Sequence, residues 1–334
     1  ICTPRLVQRI AGTAHTAPAI TRRDPNVLTL DYVDVTAGGE TRENLYVYPA
    51  GQFAFQKNGM ERNPWDSAVQ FRDELITKRF APDSGCEVTY RFTIEGPVPG
   101  DLNVVVERPD LYRMTFNGRE LRHDGRTWWL DRVFGRMPVA PLAHTGENVL
   151  TLKAAPFTIY HEIEAAYVLG DFGLKATDKG FVIVAEPTLQ LGPWKDQGMP
   201  FYSAGVSYTE RFDLPNKKGR YLVSLNRWYG AVAVVTVNGS PAGCIQHAPW
   251  QCDVTAAIQT GTNEIDVKVI GTLKNTLGPH HNNPPLGAAW PGAFHHAPNP
   301  GPPPGSQYSV VGYGLFEPFL LLEENPQPPP MMRK

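Results

Sequence analysis

The sequence predicts an all-β chain built as two antiparallel β-sandwiches in tandem, with one short helix. Three observations carry this expectation. Glycine and proline are abundant, 31 and 32 residues, and proline is confined to turns, loops and strand edges. Short runs alternate apolar and polar residues with the period of a half-buried strand. One order of strands and turns occurs twice at nearly constant offset, as an internal repeat does.

Residues 1–25 are rich in turn formers and carry no pattern, so they read as an irregular N-terminal segment. From Asn26 the run VLTLDYVDV alternates and opens the first sandwich, expected over 26–185. The helix is placed at 64–76. Asn63 is a good N-cap, Pro64 suits the first helical position, and Trp65, Ala68, Val69, Leu75 and Ile76 recur at helical spacing. Strands follow at 87–94, 102–107 and 112–116, the last running into Asn117-Gly118, a strong hairpin signal. Gly146-Glu147-Asn148 then precedes a strand at 149–152.

The same order returns in the second sandwich, expected over 186–325, with the division falling somewhere in 170–200. Strands read at 206–212, 221–225 and 233–237, then Asn238-Gly239, then Gly261-Thr262-Asn263 before a strand at 265–269. The two Asn-Gly turns lie 121 positions apart and the two Gly-x-Asn turns 115 apart. Between the last strands, 278–307 is too rich in proline for regular structure. It is expected to be an ordered loop over one end of the second sandwich, near Trp228 and Tyr229, anchored by Trp290 and Phe294 with its histidines at the rim. Residues 326–334 read as a frayed tail.

Composition narrows the function. The chain has 334 residues, 42% of them hydrophobic, and a net charge of −2 from 31 basic and 33 acidic residues. That balance gives no footprint for nucleic acid and no attraction to an anionic membrane. No apolar run approaches the ~20 residues of a membrane helix. Neutral substrates such as sugars fit it better. Ile1 opens the chain without a secretory h-region, so a processed form or a piece of a longer protein is expected. The compartment is not legible, with an extracellular or periplasmic location favoured over the cytoplasm. Cys2, Cys86, Cys244 and Cys252 match no zinc spacing. Cys244 and Cys252 flank one strand pair, and both a disulfide and buried free thiols remain open.

In the second copy the stretches PFYSAGVSYTERFDLP, VAVVTVNGSPAG, HAPWQCDVTAAIQTGTNEIDVKVIGTLKNTLGPHH and YGLFEPF resemble the C-terminal galactose-binding-like jelly roll of large glycoside hydrolases similar to family 106, the α-L-rhamnosidase group. More loosely they resemble the sugar-binding sandwich of glycoside hydrolase family 2. The first copy, with VVVERPDLYRMTFNGREL, WWLD and IYHEIEAAYVLGDFGL, is similar to the sandwich that precedes it. The resemblance spans roughly 26–320 and implies a carbohydrate-binding accessory region without catalysis of its own. Its partners would be an oligosaccharide or polysaccharide and the catalytic barrel of a parent enzyme, since this chain has no strand–helix alternation to make a barrel. The alternatives are a share in a glycoside hydrolase active site completed by another segment, and a purely structural scaffold.

Candidate residues fall in three groups. Trp128-Trp129 and Trp228-Tyr229 offer flat rings for sugar stacking, with Arg126, Asp131, Asn226 and Arg227 as hydrogen-bonding neighbours. At most one ring of each pair can face a ligand, because adjacent strand residues point opposite ways. His280, His281 and Asn282, with His295 and His296, offer a polar wall. Adjacent histidines make a poor metal pair. Glu162 and Glu164 would share one strand face and are the weak catalytic candidates, since glycosidases use two carboxylates. They could instead hold a structural calcium, and more often such residues form a solvated or salt-bridged strand face.

Overall fold

The computed structural model describes residues 6–10, 18–67, 69–282 and 289–326. They form antiparallel sheets around two hydrophobic cores. In the first sandwich one sheet runs in the order Trp128–Trp129, Asp131–Pro138, Leu102–Glu107, Ala166–Gly170, Asn26–Leu30. The facing sheet is centred on Cys86–Ile94 and Gly146–Ala154, paired in register from Ile94↔Gly146 to Cys86↔Ala154. Cys86–Ile94 buries alternate residues, as its apolar–polar pattern requires. In the second sandwich Val206–Leu214 and Gly261–Ile270 take the equivalent central places.

The repeat holds at the level of single atoms. Asn117 and Asn238 sit at φ 50° and 51°, followed by Gly118 and Gly239 at φ 76° and 77°. These left-handed pairs make the tight hairpin turns that twisted strands favour. Asn117 donates its amide to Asn148 Oδ1 at 2.9 Å, and Asn238 donates to Asn263 Oδ1 at 3.1 Å. Asn148 returns its own amide to the carbonyls of His144 and Gly146, and Asn263 to those of Gln259 and Gly261. Each fully buried asparagine thus ties its hairpin to the turn entering the next strand.

The strand registers extend the equivalence. Asn148 faces Phe92 across the first central ladder and Asn263 faces Phe212 across the second. Two residues along, Tyr90 is matched by Glu210. Glu210 is 3% exposed, its Oε1 finds no hydrogen-bond partner among the described residues, and burial pushes its carboxyl up to about 7. The folded chain therefore holds a proton there that the unfolded chain releases above about pH 4.5. Stability should fall with rising pH across that window and level off above about 7. Glu210→Leu is expected to stabilise the protein by about 1–3 kcal/mol at pH 8, with little gain at pH 4. Urea unfolding at both pH values checks this, and an equal effect at the two would contradict it.

Three features differ from the sequence expectation. Residues 1–25 are not irregular throughout. Leu6–Ile10 pairs with Leu320–Pro326, and Ala19–Arg22 pairs with Val206–Leu214. The chain thus lays two edge strands on the second sandwich before it builds the first, and short edge strands carry little pattern to read. The helix expected at 64–76 is three separate turns, Pro64–Ser67, Val69–Phe71 and Asp73–Ile76. Asn63 does cap the first, accepting from Trp65 N at 3.1 Å. The longest helix among the described residues is Val47–Lys57, hidden in the sequence by Pro49 and Gly51. Pro49 lies in its first turn, where the missing N–H costs nothing. No helix among the described residues is long and apolar enough to cross a membrane.

Cys86, Cys244 and Cys252 are free thiols. The expected frayed tail falls on residues outside those described, apart from Pro326, which ends a strand.

Candidate functional site

The segment from Phe157 to Glu164 crosses the mouth of the first sandwich without joining a strand ladder, yet its side chains alternate. Phe157, Ile159, His161 and Ile163 are buried, while Tyr160, Glu162 and Glu164 turn to the other side. The shared face expected for Glu162 and Glu164 is present although the strand is not. Side chains hold the backbone in place of a ladder. Tyr90 Oη donates to Glu164 O at 2.6 Å and Tyr112 Oη to Glu162 O at 2.7 Å. Trp65 Nε1 donates to Ile159 O at 2.7 Å. His161 accepts from Thr158 N at Nδ1, 2.8 Å, so its Nε2–H donates to Leu111 O at 2.9 Å.

Two cavities meet at this segment. One, of about 240 Å³, has walls from Trp65, Glu107, Arg108, Tyr112, Tyr160 and both glutamates. The other, of about 410 Å³, shares Trp65, Glu162 and Glu164 and reaches Asp31, Asn63, Tyr48, His280, Phe294 and His295. The shared residues set them side by side as two compartments of one cleft region. Rings line it, with Trp65 and Tyr160 tilted together at 6.1 Å and Tyr48 stacked on His295 at 3.9 Å.

Glu164 lines both cavities and is exposed there, while the protein packed around its carboxyl still buries it from most directions. That burial, with the negative charges of Glu162 and Glu107, pushes it up to about 8. Burial also raises Glu107, against the pull of Arg108. Asn63 Nδ2 donates to Glu162 Oε1 at 3.5 Å. Arg108 stands in a left-handed backbone conformation at φ 48° and is bidentate to Asp110, at 2.9 Å in both bonds. No group of three or more His, Cys, Asp or Glu among the described residues could hold a metal ion.

The aromatic pairs singled out in the sequence lie elsewhere. Trp128 is 51% exposed at a hairpin, and Trp129 packs on Tyr167 at 5.1 Å. Trp228 and Tyr229 belong to the second sandwich, where Trp228 meets Trp250 edge-on at 5.3 Å and Tyr229 stacks on Tyr313 at 5.9 Å. Arg227 is exposed, and its carbonyl accepts from Phe316 N.

The described parts of the loop 278–307 do not fold over Trp228 and Tyr229. Its described parts cross to the first sandwich and wall the cleft. Tyr32 Oη donates to Pro298 O at 2.8 Å, Gly301 N to Asn44 O at 3.0 Å and Gly180 N to Pro303 O at 2.8 Å. The expected roles within the loop are also exchanged. His280 is 4% exposed, its Nε2–H donating to Asn275 O at 2.8 Å. His281 Nε2–H donates to Asp31 Oδ2 at 2.6 Å, with side chains 1% and 7% exposed. Trp290, the expected anchor, is 52% exposed. An imidazole with a matched acceptor can be buried, and here the buried Asp31 carboxylate supplies one. Asn282 is half-buried beside His281.

The sequence reading passed over Asp31, Tyr48, Glu107, Arg108 and Tyr160. The alternation around Glu162, and His280 and His295 in the loop, were the sequence signals for this place.

No protein-family model matches the chain. A stretch of 86 residues is 33% identical to the protein named "Putative beta-glucuronidase" from Formosa agariphila, covering 25% of this chain and 7% of that protein. Among solved structures, a rhamnosidase from Novosphingobium sp. PP1Y is matched over 78% of this chain and 26% of its own, at 19% identity and a TM-score of 0.29. A beta-D-mannosidase from Dictyoglomus thermophilum is matched over 78% of this chain and 32% of its own, at 10% identity and a TM-score of 0.29. By their names these are glycoside hydrolases, and this chain corresponds to a minor part of each.

Proposed function

We propose that the chain is a carbohydrate-binding, accessory sandwich region of a glycoside hydrolase whose catalytic barrel lies in other sequence, and that its ligand occupies the cleft between Trp65, Glu164 and the loop of the second sandwich. The observation that carries this is the cleft's lining, in which Trp65 and Tyr160 stand beside the oxygens of Glu107, Glu162 and Glu164. A pyranose ring has apolar C–H faces that stack on aromatic rings and equatorial hydroxyls that donate to carboxylates. The sequence similarity to part of a protein named for glycosidase activity supports the same reading.

Trp65→Ala is expected to weaken oligosaccharide binding about tenfold, close to 1.4 kcal/mol, in calorimetric titration. Trp228→Ala, on the second sandwich, should leave the affinity unchanged. The opposite ranking would move the site to the aromatic pair at Trp228.

A second reading rests on Glu164. A carboxyl pushed up to about 8 beside two other carboxylates has the character of a general acid. The accessory reading expects no turnover of aryl rhamnosides or aryl galactosides by the chain itself. Turnover that disappears in Glu164→Gln would make the cleft an active site.

A further inference from the structure

We infer that the cleft takes a glycan chain and not a single sugar, holding it in two subsites on either side of a ridge formed by Trp65, Glu162 and Glu164. This names the class of ligand for the carbohydrate reading above and rests on it.

The first compartment, of about 240 Å³, is smaller than the roughly 300–1,000 Å³ that encloses a whole drug-sized ligand, and the second, of about 410 Å³, lies near the low end of that range. Each has room for a short piece of a chain. Trp65, Glu162 and Glu164 line both. Glu164 is exposed and the other two are half-buried, so the ridge lies open to solvent and does not seal one compartment from the other. A ligand can cross it while touching both sides.

Each side has a ring of its own. Tyr160, 41% exposed, lines only the first compartment, and Phe294, 36% exposed, lines only the second. Trp65 serves both, and its Nε1–H bond to Ile159 O at 2.7 Å fixes the plane of the indole. In the second compartment Tyr48 is held between Gln52, which donates to its Oη at 3.1 Å, and the stacked ring of His295. Rings fixed before the ligand arrives lose little freedom on binding. Tyr160 belongs to the first sandwich, whereas Phe294 and His295 arrive on the loop of the second. Rings on both sides of an open ridge suit the apolar faces of successive sugar units, and the carboxyls of the ridge suit the hydroxyls between them. Linking the units makes the second contact intramolecular, so a chain gains affinity that a free sugar lacks.

The test begins with the whole chain on a glycan array. The best hit is then titrated by calorimetry as a size ladder of its repeating unit, from monosaccharide to hexasaccharide. Affinity is expected to rise at least about tenfold from monosaccharide to trisaccharide. Trp65→Ala should weaken every rung. Tyr160→Ala and Phe294→Ala should each weaken the trisaccharide about tenfold and leave the monosaccharide, seated on Trp65, unchanged. Both rings are exposed, so both variants are expected to fold, and thermal melting checks it; if one does not, the other decides. Equal affinity at every rung, or a trisaccharide affinity that either folded variant leaves unmoved, would overturn the two subsites while leaving carbohydrate binding standing. No glycan bound on the array would overturn the carbohydrate reading and this inference with it.

Discussion

Asp31→Ala is expected to cost about 3 kcal/mol of stability and to release the proline-rich loop from the first sandwich. Asp31 is 5% exposed and lies between the two sandwiches. Its Oδ2 accepts from His281 Nε2–H at 2.6 Å, and its Oδ1 is approached by Tyr308 Oη at 3.4 Å. His281 is enclosed edge-on by the rings of Tyr32, Tyr46 and Tyr308 at 5.5, 5.4 and 4.6 Å. Its Nδ1 has no hydrogen-bond partner among the described residues. Removing the carboxylate would leave the whole imidazole unbonded inside an aromatic shell, and truncating one partner of a buried polar pair costs the desolvation of the other. Asp31→Asn keeps an acceptor for Nε2–H and should recover part of the loss. Urea unfolding gives the stability, and amide exchange at Gly301 and Gly305, whose N–H groups bond Asn44 O and Thr177 O, reports on the loop. A stability within about 0.5 kcal/mol of wild type, with exchange unchanged, would show that the loop is held by its backbone bonds alone.

How far the sequence could be read follows from the range of each interaction. The strands were legible because alternation is local, and the hairpins because Asn-Gly pairs demand φ > 0 at consecutive residues. Even Glu162 and Glu164 could be put on one face, since that needs only an extended backbone. The longest helix was not legible, because Pro49 and Gly51 oppose it and the burial of Phe53, Ala54 and Phe55 outweighs them. The cleft was half-legible at best. Trp65 meets Tyr160 across 95 positions of sequence, and His281 meets Asp31 across 250. Nothing local in His280-His281 distinguishes a rim from a buried strut. What decides it is the Asp31 carboxylate on another sandwich. The aromatic pairs misled for the same reason. Trp128-Trp129 and Trp228-Tyr229 are conspicuous in sequence, but their surroundings are set by Tyr167, Trp250 and Tyr313, which come from distant segments.

Asn148→Ala and Asn263→Ala are each expected to cost about 3 kcal/mol, a large loss for one side-chain amide. Each asparagine is 0% exposed. Asn148 Oδ1 accepts from Asn117 Nδ2 and His144 N, while its Nδ2 serves the carbonyls of His144 and Gly146. Alanine would strand those groups in a place closed to water, where an unmade hydrogen bond costs its full desolvation. Asn263 does the same work for Asn238, Gln259 and Gly261, and the equivalent loss follows. Asp at either position keeps the acceptor but turns a buried carboxylate oxygen to the two carbonyls, so its cost should equal or exceed that of Ala. The two networks belong to separate hydrophobic cores with no shared partner, so the double variant should lose the sum of the two. Urea unfolding of the singles and the double measures this. Equal single costs that add would show that the duplicated hairpin lock was kept for the same energetic reason in both sandwiches. A cost near zero in one copy would mean that its strands and turn are held by packing alone, and that the matching hydrogen bonds there contribute little.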